Sequence, residues 1–218
     1  MPEQKPTDAI LQVEVWSDVV CPWCYIGKRN LQRAMEQQVG PVRIVHRAFQ
    51  LDPGARSEGR RTVDVLVEKY RVDRQQAEQM MNRVSDVAAN VGLTYHLEQT
   101  TSGNTLDAHR LLLWAQEQGS GQELLEVLYS AYFTEGASIF ATSDLLALVQ
   151  RAGLDTEAAM LTLAGSAYRQ QVHLDQQAAA RLGATGVPFF LFDGRIAIAG
   201  AQPEAVLAEA LLQARQDR

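Results

Sequence analysis

The chain has 218 residues, of which 46% are hydrophobic and 21% are charged. This composition is ordinary for a globular protein and leaves room for one sizeable domain, or for one domain with a large insertion. The formal net charge of −6 argues against a dedicated nucleic-acid binder, and no apolar run reaches the roughly 18 residues of a membrane span.

The beginning of the chain predicts a strand, a helix and a second strand. Residues 10–16 form a short apolar run with β-branched side chains, which is typical of a strand. From Pro22 the apolar residues recur at helical spacing, and the breaker pair Gly40-Pro41 ends this pattern. Residues 42–49 predict a second strand, so the three elements together indicate a βαβ unit.

The middle of the chain, from residue 62 to residue 183, is helical in character. The predicted helices cover 62–70, 74–91, 105–117, 121–133, 143–151, 156–164 and 169–182. Glycines suited to helix C-termini stand near four of the predicted ends: Gly92, Gly119, Gly136 and Gly153. Ser143 and Asp155 are suited to the N-cap position of the helices that they precede or begin.

The end of the chain returns to strands. Residues 188–192 are an aromatic run, and Asp193-Gly194 is a strong signal for a hairpin turn. Residues 196–199 predict the returning strand, and a final helix begins near Pro203.

The two ends of the chain carry all the strands of the predicted α/β fold. We expect them to form one four-stranded sheet with flanking helices, built from the segments 10–61 and 184–218. The helical block 62–183, with its connecting helix, is then an insertion, because the sheet cannot close without both ends.

The only cysteines of the chain stand where the first strand meets the first helix, in the run Cys21-Pro22-Trp23-Cys24. With Cys21 as N-cap and Pro22 as first helical residue, free backbone N–H groups and the helix dipole favour a thiolate at Cys21. A thiolate is the form that attacks disulfides, and Cys24, one turn further on, would resolve the mixed disulfide. We expect Cys21 to be exposed and Cys24 to be largely buried.

A zinc site and a pair of inert structural cysteines are the alternatives for these thiols. Zinc would need two further ligands, and the chain has no second cysteine pair. Its histidines lack the spacing typical of zinc ligands: His46, His96, His109 and His173. The position at a helix start disfavours inert cysteines. Because the N-terminus is polar and lacks the apolar stretch of a signal peptide, we expect a cytoplasmic protein, where a cycling pair fits better than a permanent bridge.

A second motif, Gly186-Val187-Pro188, precedes the terminal hairpin. Proteins of the thioredoxin superfamily place a cis-proline opposite their CxxC motif, and Val187-Pro188 resembles that feature. Within the superfamily the chain resembles the DsbA family, which carries a helical insertion, and in particular its FrnE-like branch. The resemblance rests on three blocks: Ser17-Asp18-x-x-Cys21-Pro22-Trp23-Cys24-Tyr25-x-Gly27, Asn104-Thr105-x-x-Ala108-His109-Arg110 and Gly183-Ala184-x-Gly186-Val187-Pro188.

This resemblance implies a thioredoxin-like fold with a large all-helical insertion and the activity of a thiol–disulfide oxidoreductase without a bound cofactor. The implied partners are thiols and disulfides of proteins or small molecules, with glutathione as a redox co-substrate, and neither nucleic acid nor a membrane. The residues implied to contact substrate are Pro22, Trp23, Val187 and Pro188.

The chain also differs from periplasmic DsbA proteins, which carry a signal peptide and a histidine inside the CxxC motif. Its Pro22-Trp23 pair is similar to that of glutaredoxins instead. The related kappa glutathione transferases and 2-hydroxychromene-2-carboxylate isomerases have serine at the place of Cys21. Glutathione-dependent transfer or isomerisation is therefore the second hypothesis, and a chaperone-like module with vestigial cysteines is the third.

Three further residues are candidates for accessory roles: Asp18, Asn104 and His109. Asp18 could move a proton or position a substrate, and equally could anchor its loop. Its carboxylate should not point at the Cys21 sulfur, because a nearby negative charge disfavours the thiolate. Asn104 and His109 begin a helix of the insertion. There His109 could stabilise the thiolate or bind substrate, or it could make only a structural hydrogen bond.

Overall fold

The computed structural model of the chain describes residues 10–38, 40–56 and 59–216. The strands are β1 (Leu11–Ser17), β2 (Val42–Ala48), β3 (Arg60–Arg61), β4 (Thr101–Ser102), β5 (Phe189–Phe192) and β6 (Ile196–Ala199). The helices are α1 (Pro22–Glu36), α2 (Thr62–Tyr70), α3 (Arg74–Asn90), α4 (Leu106–Glu117), α5 (Gly121–Tyr129), α6 (Thr142–Arg151), α7 (Thr156–Ala164), α8 (Arg169–Arg181) and α9 (Glu204–Gln216).

The main sheet has four strands in the order β2-β1-β5-β6. β1 pairs in parallel with β2, which places Val15 opposite His46, and antiparallel with β5, which places Val15 opposite Phe190. β5 and β6 form the terminal hairpin. Asp193 and Gly194 have φ values of 51° and 69°, the left-handed backbone that a tight hairpin turn needs, so the turn predicted there is confirmed.

Helices pack on both faces of this sheet. Leu11 and Val13 of β1 lie with Phe190 in a buried cluster that α1 and α9 complete. On the opposite face Trp16 packs in a second cluster with Ala179 of α8. This alternation of side chains along β1 is the period of a strand that is covered on both sides.

The first turn of α1 packs into the helical block. Cys21, Cys24 and Tyr25 belong to one large buried cluster with side chains of the helices between β2 and β5. Tyr25 stacks on Tyr129 of α5, with ring centroids 4.8 Å apart. The start of α1 is therefore held by the sheet on one side and by the helical block on the other.

The element order matches the sequence prediction in its main parts: a βαβ unit, a block of helices and a ββα unit. The expectation that the insertion is entirely helical was wrong, because β4 lies within it and pairs with β3, and neither short strand was predicted. The predicted α/β class and thioredoxin-like fold are confirmed. The division into 10–61 with 184–218, and 62–183 between them, stays a prediction. Within the described ranges no helix is both long enough and apolar enough to cross a membrane.

The helix ends show which of the caps and boundaries predicted from local sequence are correct. Asp155 caps α7 as predicted, and its carboxylate accepts hydrogen bonds from two first-turn backbone N–H groups at 2.9 and 3.1 Å. Ser143 is not an N-cap, because the backbone turns helical earlier, after the extended Ala141. The predicted helix 121–133 is an α-helix only as far as Tyr129 and continues as a π-helical turn. The four glycines expected at helix ends all have positive φ.

Candidate active site

Cys21 occupies the N-cap position of α1, as expected from the sequence. Its backbone is extended, with φ −89° and ψ 112°, and Pro22 is the first residue of the helix. Among the described residues no side chain caps the first turn. Pro22 has no N–H, and the N–H of Cys24 bonds the Cys21 backbone oxygen at 3.0 Å, so it is mainly the dipole of α1 that favours a negative charge at Cys21. The Cys21 sulfur lies 3.6 Å from the backbone oxygen of Val187. The N-cap position therefore offers the electrostatic setting of a nucleophilic thiolate.

The expectation that Cys21 is exposed was wrong. The residue is only 3% exposed, and Cys24 is 2% exposed. Solvent is excluded from the start of α1 because its side chains pack into the buried cluster of the helical block and because the Val187 backbone lies against the Cys21 sulfur. Trp23 is the exposed member of the motif, at 41%. A substrate must therefore reach the Cys21 sulfur at the edge of a packed surface.

Cys24 is the member of the pair that retains its proton. Burial raises the pKa of the Cys24 thiol well above its usual value, and the hydrogen bond and charge of Cys21 raise it further. The two cysteines therefore differ in electrostatic setting although both are buried.

Pro188 lies against the CxxC helix. The peptide bond between Val187 and Pro188 is cis. A Cβ atom at Gly27 would lie 2.9 Å from the Pro188 Cγ and 3.2 Å from the Phe190 ring, so this close approach requires a glycine in α1. The Gly186-Val187-Pro188 motif and the CxxC motif, which are distant in the sequence, thus meet at the start of α1.

Asp18 is buried below the CxxC loop and its carboxylate is fully engaged. Oδ1 lies 3.2 Å from Nε2 of His109, and Oδ2 accepts a hydrogen bond of 2.8 Å from the backbone N–H of Leu51. The backbone oxygen of Asp18 accepts the N–H of Cys21 at 3.1 Å. These partners occupy both carboxylate oxygens and favour the role of a loop anchor. His109 is 0% exposed and contacts Asp18 rather than the thiols.

Asn104 ties the loop after β2 to the start of α4. Its Oδ1 accepts hydrogen bonds from Gln50 Nε2 at 3.1 Å and from the backbone N–H of Leu106 at 2.9 Å. Its Nδ2 donates to the backbone oxygens of Pro53 and Ala55. All of these contacts are structural, so the geometry gives Asn104 the role of a loop brace.

His46 is a buried residue near the thiols that sequence reasoning did not select. It is 1% exposed, and its Nδ1 lies 3.3 Å from the hydroxyl of Ser17. Its ring stacks on His109 with centroids 5.6 Å apart. Burial lowers the pKa of His46 well below its usual value, and the charges of His109 and Arg47 lower it further. The imidazole of His46 is therefore neutral at physiological pH.

No group of three or more His, Cys, Asp or Glu side chains in the described parts of the chain is arranged to hold a metal ion. The exposed apolar side chains near the motif are Trp23 and Leu51, at 41% and 44%. Leu51 is placed there by its hydrogen bond to Asp18. The surface around the thiols is therefore apolar in part.

The fold and this site agree with a known family. Residues 12–212 match the DSBA-like thioredoxin domain. A crystal structure of a probable DsbA oxidoreductase from Streptomyces coelicolor has a TM-score of 0.90 to this chain and 39% sequence identity, over 95% of this chain and 91% of that one. The chain therefore belongs to the DsbA-like family of thioredoxin-fold thiol oxidoreductases.

More distant structures share the fold alone. The cytosolic disulfide reductase DsbM from Pseudomonas aeruginosa, solved with glutathione, is 20% identical with a TM-score of 0.67, over 94% of this chain and 99% of that one. A 2-hydroxychromene-2-carboxylate isomerase is 16% identical with a TM-score of 0.71, over 94% and 97% of the two chains. Among curated protein sequences, none matches this chain significantly.

Proposed function

We propose that this protein is a thiol–disulfide oxidoreductase that exchanges disulfides through Cys21 and Cys24. The observation that carries the proposal is the contrast between the two thiols. Cys21 stands at the N-cap of α1, at the positive end of the helix dipole, while burial and Cys21 itself raise the pKa of Cys24. A nucleophile beside a protonated resolving thiol is the arrangement that dithiol exchange requires.

The proposed reaction has two steps. The Cys21 thiolate attacks one sulfur of a substrate disulfide, and the other sulfur leaves as a thiolate. Cys24 then loses its proton and attacks the Cys21 sulfur, which releases the second substrate thiol and leaves a Cys21–Cys24 disulfide. Two electrons pass from the protein to the substrate, and the reverse sequence oxidises a dithiol.

Substrate contact is proposed for the residues around the nucleophile. Trp23 is exposed on the first turn of α1, and Val187 presents its backbone beside the Cys21 sulfur. Pro188 holds these two segments next to each other through its packing on α1, and Pro22 is the first residue of that helix, beside the nucleophile. An exposed indole next to a disulfide-reactive thiol favours a peptide or another partly apolar disulfide as substrate.

Glutathione is proposed as a redox co-substrate, with thiols and disulfides of proteins or small molecules as the other partners and with the cytoplasm as the compartment. The support is the shared fold with cytosolic DsbM, which was solved with glutathione. Glutathione-dependent isomerisation or transfer is the second candidate, supported by the shared fold with 2-hydroxychromene-2-carboxylate isomerase. The paired thiols favour disulfide exchange, because isomerisation has no need of a second, protonated cysteine.

The test is an equilibrium titration of the free thiols in glutathione buffers of graded ratio. Dithiol exchange predicts that Cys21 and Cys24 are lost together, as one two-electron couple, to a disulfide between them. Cysteines that stay reduced in every buffer, or that only form separate glutathione adducts, would contradict the proposal. Addition of 2-hydroxychromene-2-carboxylate together with glutathione to the reduced protein tests the second candidate, because isomerisation changes the absorbance of this substrate without any net thiol loss.

A further inference from the structure

A small cavity lies beside Cys24, between the sheet and helices α1 and α5. Its polar lining residues are Ser17, Cys24, Lys28, His46, Gln122 and Tyr129. Its volume is about 20 Å³. A water molecule needs at least about 10–15 Å³ of such space, so the cavity has room for one. Gln122 is partly exposed, and the cavity therefore extends from the sheet towards solvent.

Two of the lining groups are chemically complementary. Cys24 must lose its proton before it can attack, although burial opposes the loss. His46 contacts Ser17 through Nδ1, and its Nε2 has no partner among the described residues. In the tautomer in which Nδ1–H donates to the Ser17 hydroxyl, Nε2 carries a free lone pair. A buried acceptor and a buried donor thus line one water-sized space.

We propose that His46, through one water molecule in this cavity, takes the proton of Cys24 when that thiol attacks the mixed disulfide on Cys21. This inference rests on the proposed dithiol exchange and deepens it. His46 acts through the water, so it is a positioning and proton-accepting residue rather than one that touches the substrate. Its role is confined to the second step, because the first step needs only the Cys21 thiolate.

The step balances as follows. The proton leaves the Cys24 sulfur for the water, and the water passes a proton to Nε2 of His46. The Cys24 thiolate attacks the Cys21 sulfur, the bond from Cys21 to the substrate breaks, and its electron pair leaves with the substrate sulfur. Solvent protonates that thiolate, and His46 returns its proton to solvent through the outer end of the cavity.

The charges around His46 make the transfer reversible. His109 stacks on His46, and both His109 and Arg47 disfavour a lasting imidazolium. The thiolate on Cys24 supplies the compensating negative charge, so the imidazolium persists only until the thiolate has reacted. The other charged or titratable groups are paired: His109 with Asp18, Lys28 with Glu126, Arg47 with Glu14 and Asp175, and the Tyr129 hydroxyl with the backbone oxygen of Asp18.

The two steps can be timed separately with a nitrobenzoate disulfide whose released thiolate is coloured. The reduced protein should release one coloured thiolate when Cys21 attacks, and a second when Cys24 resolves the adduct. The second phase is intramolecular, so its rate does not depend on the reagent concentration. His46→Gln should leave the first phase unchanged and slow the second by about 100-fold at neutral pH, the scale of general base catalysis. Ile44→Val, which removes one methyl group from the same cavity wall, should change neither phase.

The pH profile separates proton transfer from a packing role. Between about pH 6 and about pH 8 the second phase of the unaltered protein should change little, because His46 stays neutral. In His46→Gln it should rise about tenfold per pH unit, since the Cys24 thiolate then forms only by ionisation to solvent.

A full tenfold slope in the unaltered protein, or the same shallow slope in His46→Gln, would overturn the role of His46. The pH slope of the unaltered protein needs no variant, so it tests the role of His46 even if His46→Gln does not fold. A normal first phase with an unaffected second phase in His46→Gln would refute this inference alone. A missing first phase would instead refute the proposed dithiol exchange, and the inference with it.

Discussion

Pro188 packs so closely on Gly27 that a Cβ atom at Gly27 would lie 2.9 Å from the Pro188 Cγ. The contact joins the first turns of the CxxC helix to the residue that follows Val187, whose backbone oxygen lies beside the Cys21 sulfur. The geometry of the thiol pair therefore depends on a glycine one turn beyond Cys24. This contact explains why α1 has a glycine at position 27, although Gly27 has no reactive side chain.

Gly27→Ala should destabilise the protein, because the added methyl group would force Pro188 or the Phe190 ring to move. The cost of overpacking, about 1–3 kcal/mol, should exceed the gain of about 1 kcal/mol from better helix propensity. Denaturant unfolding of the reduced protein measures the difference. Gly186→Ala is the matched control, since a Cβ there meets nothing within 4 Å, and its stability should be unchanged. Equal stability of both variants would contradict the close contact.

Asp18→Ala should lower the free energy of unfolding by about 3 kcal/mol, because the change leaves buried partners at Leu51 and His109 without their acceptor. Asp18→Asn should cost less, since its amide oxygen can still accept from the Leu51 N–H. If the residue is a loop anchor, disulfide exchange by Asp18→Asn should stay within about threefold of the unaltered rate. A large loss of exchange in a stable Asp18→Asn protein would show that Asp18 moves a proton instead.

The stability of the reduced protein should fall as the pH rises above the ordinary thiol pKa of 9.0. The folded protein keeps the Cys24 proton where the unfolded chain loses it, so unfolding releases a proton and is favoured at high pH. The slope contributed by this one group is at most about 1.4 kcal/mol per pH unit. Unfolding under reductant at several pH values should show a steeper decline in the unaltered protein than in Cys24→Ser. Parallel curves would mean that Cys24 is not the buried, protonated thiol.

Trp23→Ala should slow the reduction of a peptide disulfide by about tenfold and leave a small aromatic disulfide nearly unaffected, because the indole is exposed beside the nucleophile. Its stability should change by no more than about 0.5 kcal/mol. Leu161→Ala, at an exposed position on α7, is the control and should alter neither rate. Equal slowing of both substrates by Trp23→Ala would indicate an effect on Cys21 itself rather than on substrate contact.

The order of helices and strands was predictable because it depends on local periodicity and on turn residues such as Asp193-Gly194. The N-cap position of Cys21 was predictable for the same reason, since Pro22 marks the first helical residue. The burial of Cys21 was not, because it depends on how the helical block packs over the start of α1. Exposure of an N-cap residue is a tertiary property that neighbouring residues in the sequence do not encode.

His46 shows a second limit of the sequence. It stands inside an ordinary strand pattern, and nothing adjacent to it in the chain suggests a role. Only the register that places Val15 opposite His46, together with the packing of α5, brings its ring to the cavity beside Cys24. Asn104 was selected from a family motif, but its contacts across the loop after β2 could be seen only in three dimensions.

The most direct test of the dithiol mechanism is to trap its intermediate. Cys24→Ser should accumulate a mixed disulfide on Cys21, seen as a larger species that a reductant removes, because nothing remains to resolve it. The mass of the adduct would identify the partner as a protein or as glutathione. Cys21→Ser should form no adduct and should reduce no disulfide, since Cys24 would be its only cysteine and burial raises the pKa of that thiol. Full disulfide exchange by Cys21→Ser, or full turnover with glutathione by Cys24→Ser, would contradict the account.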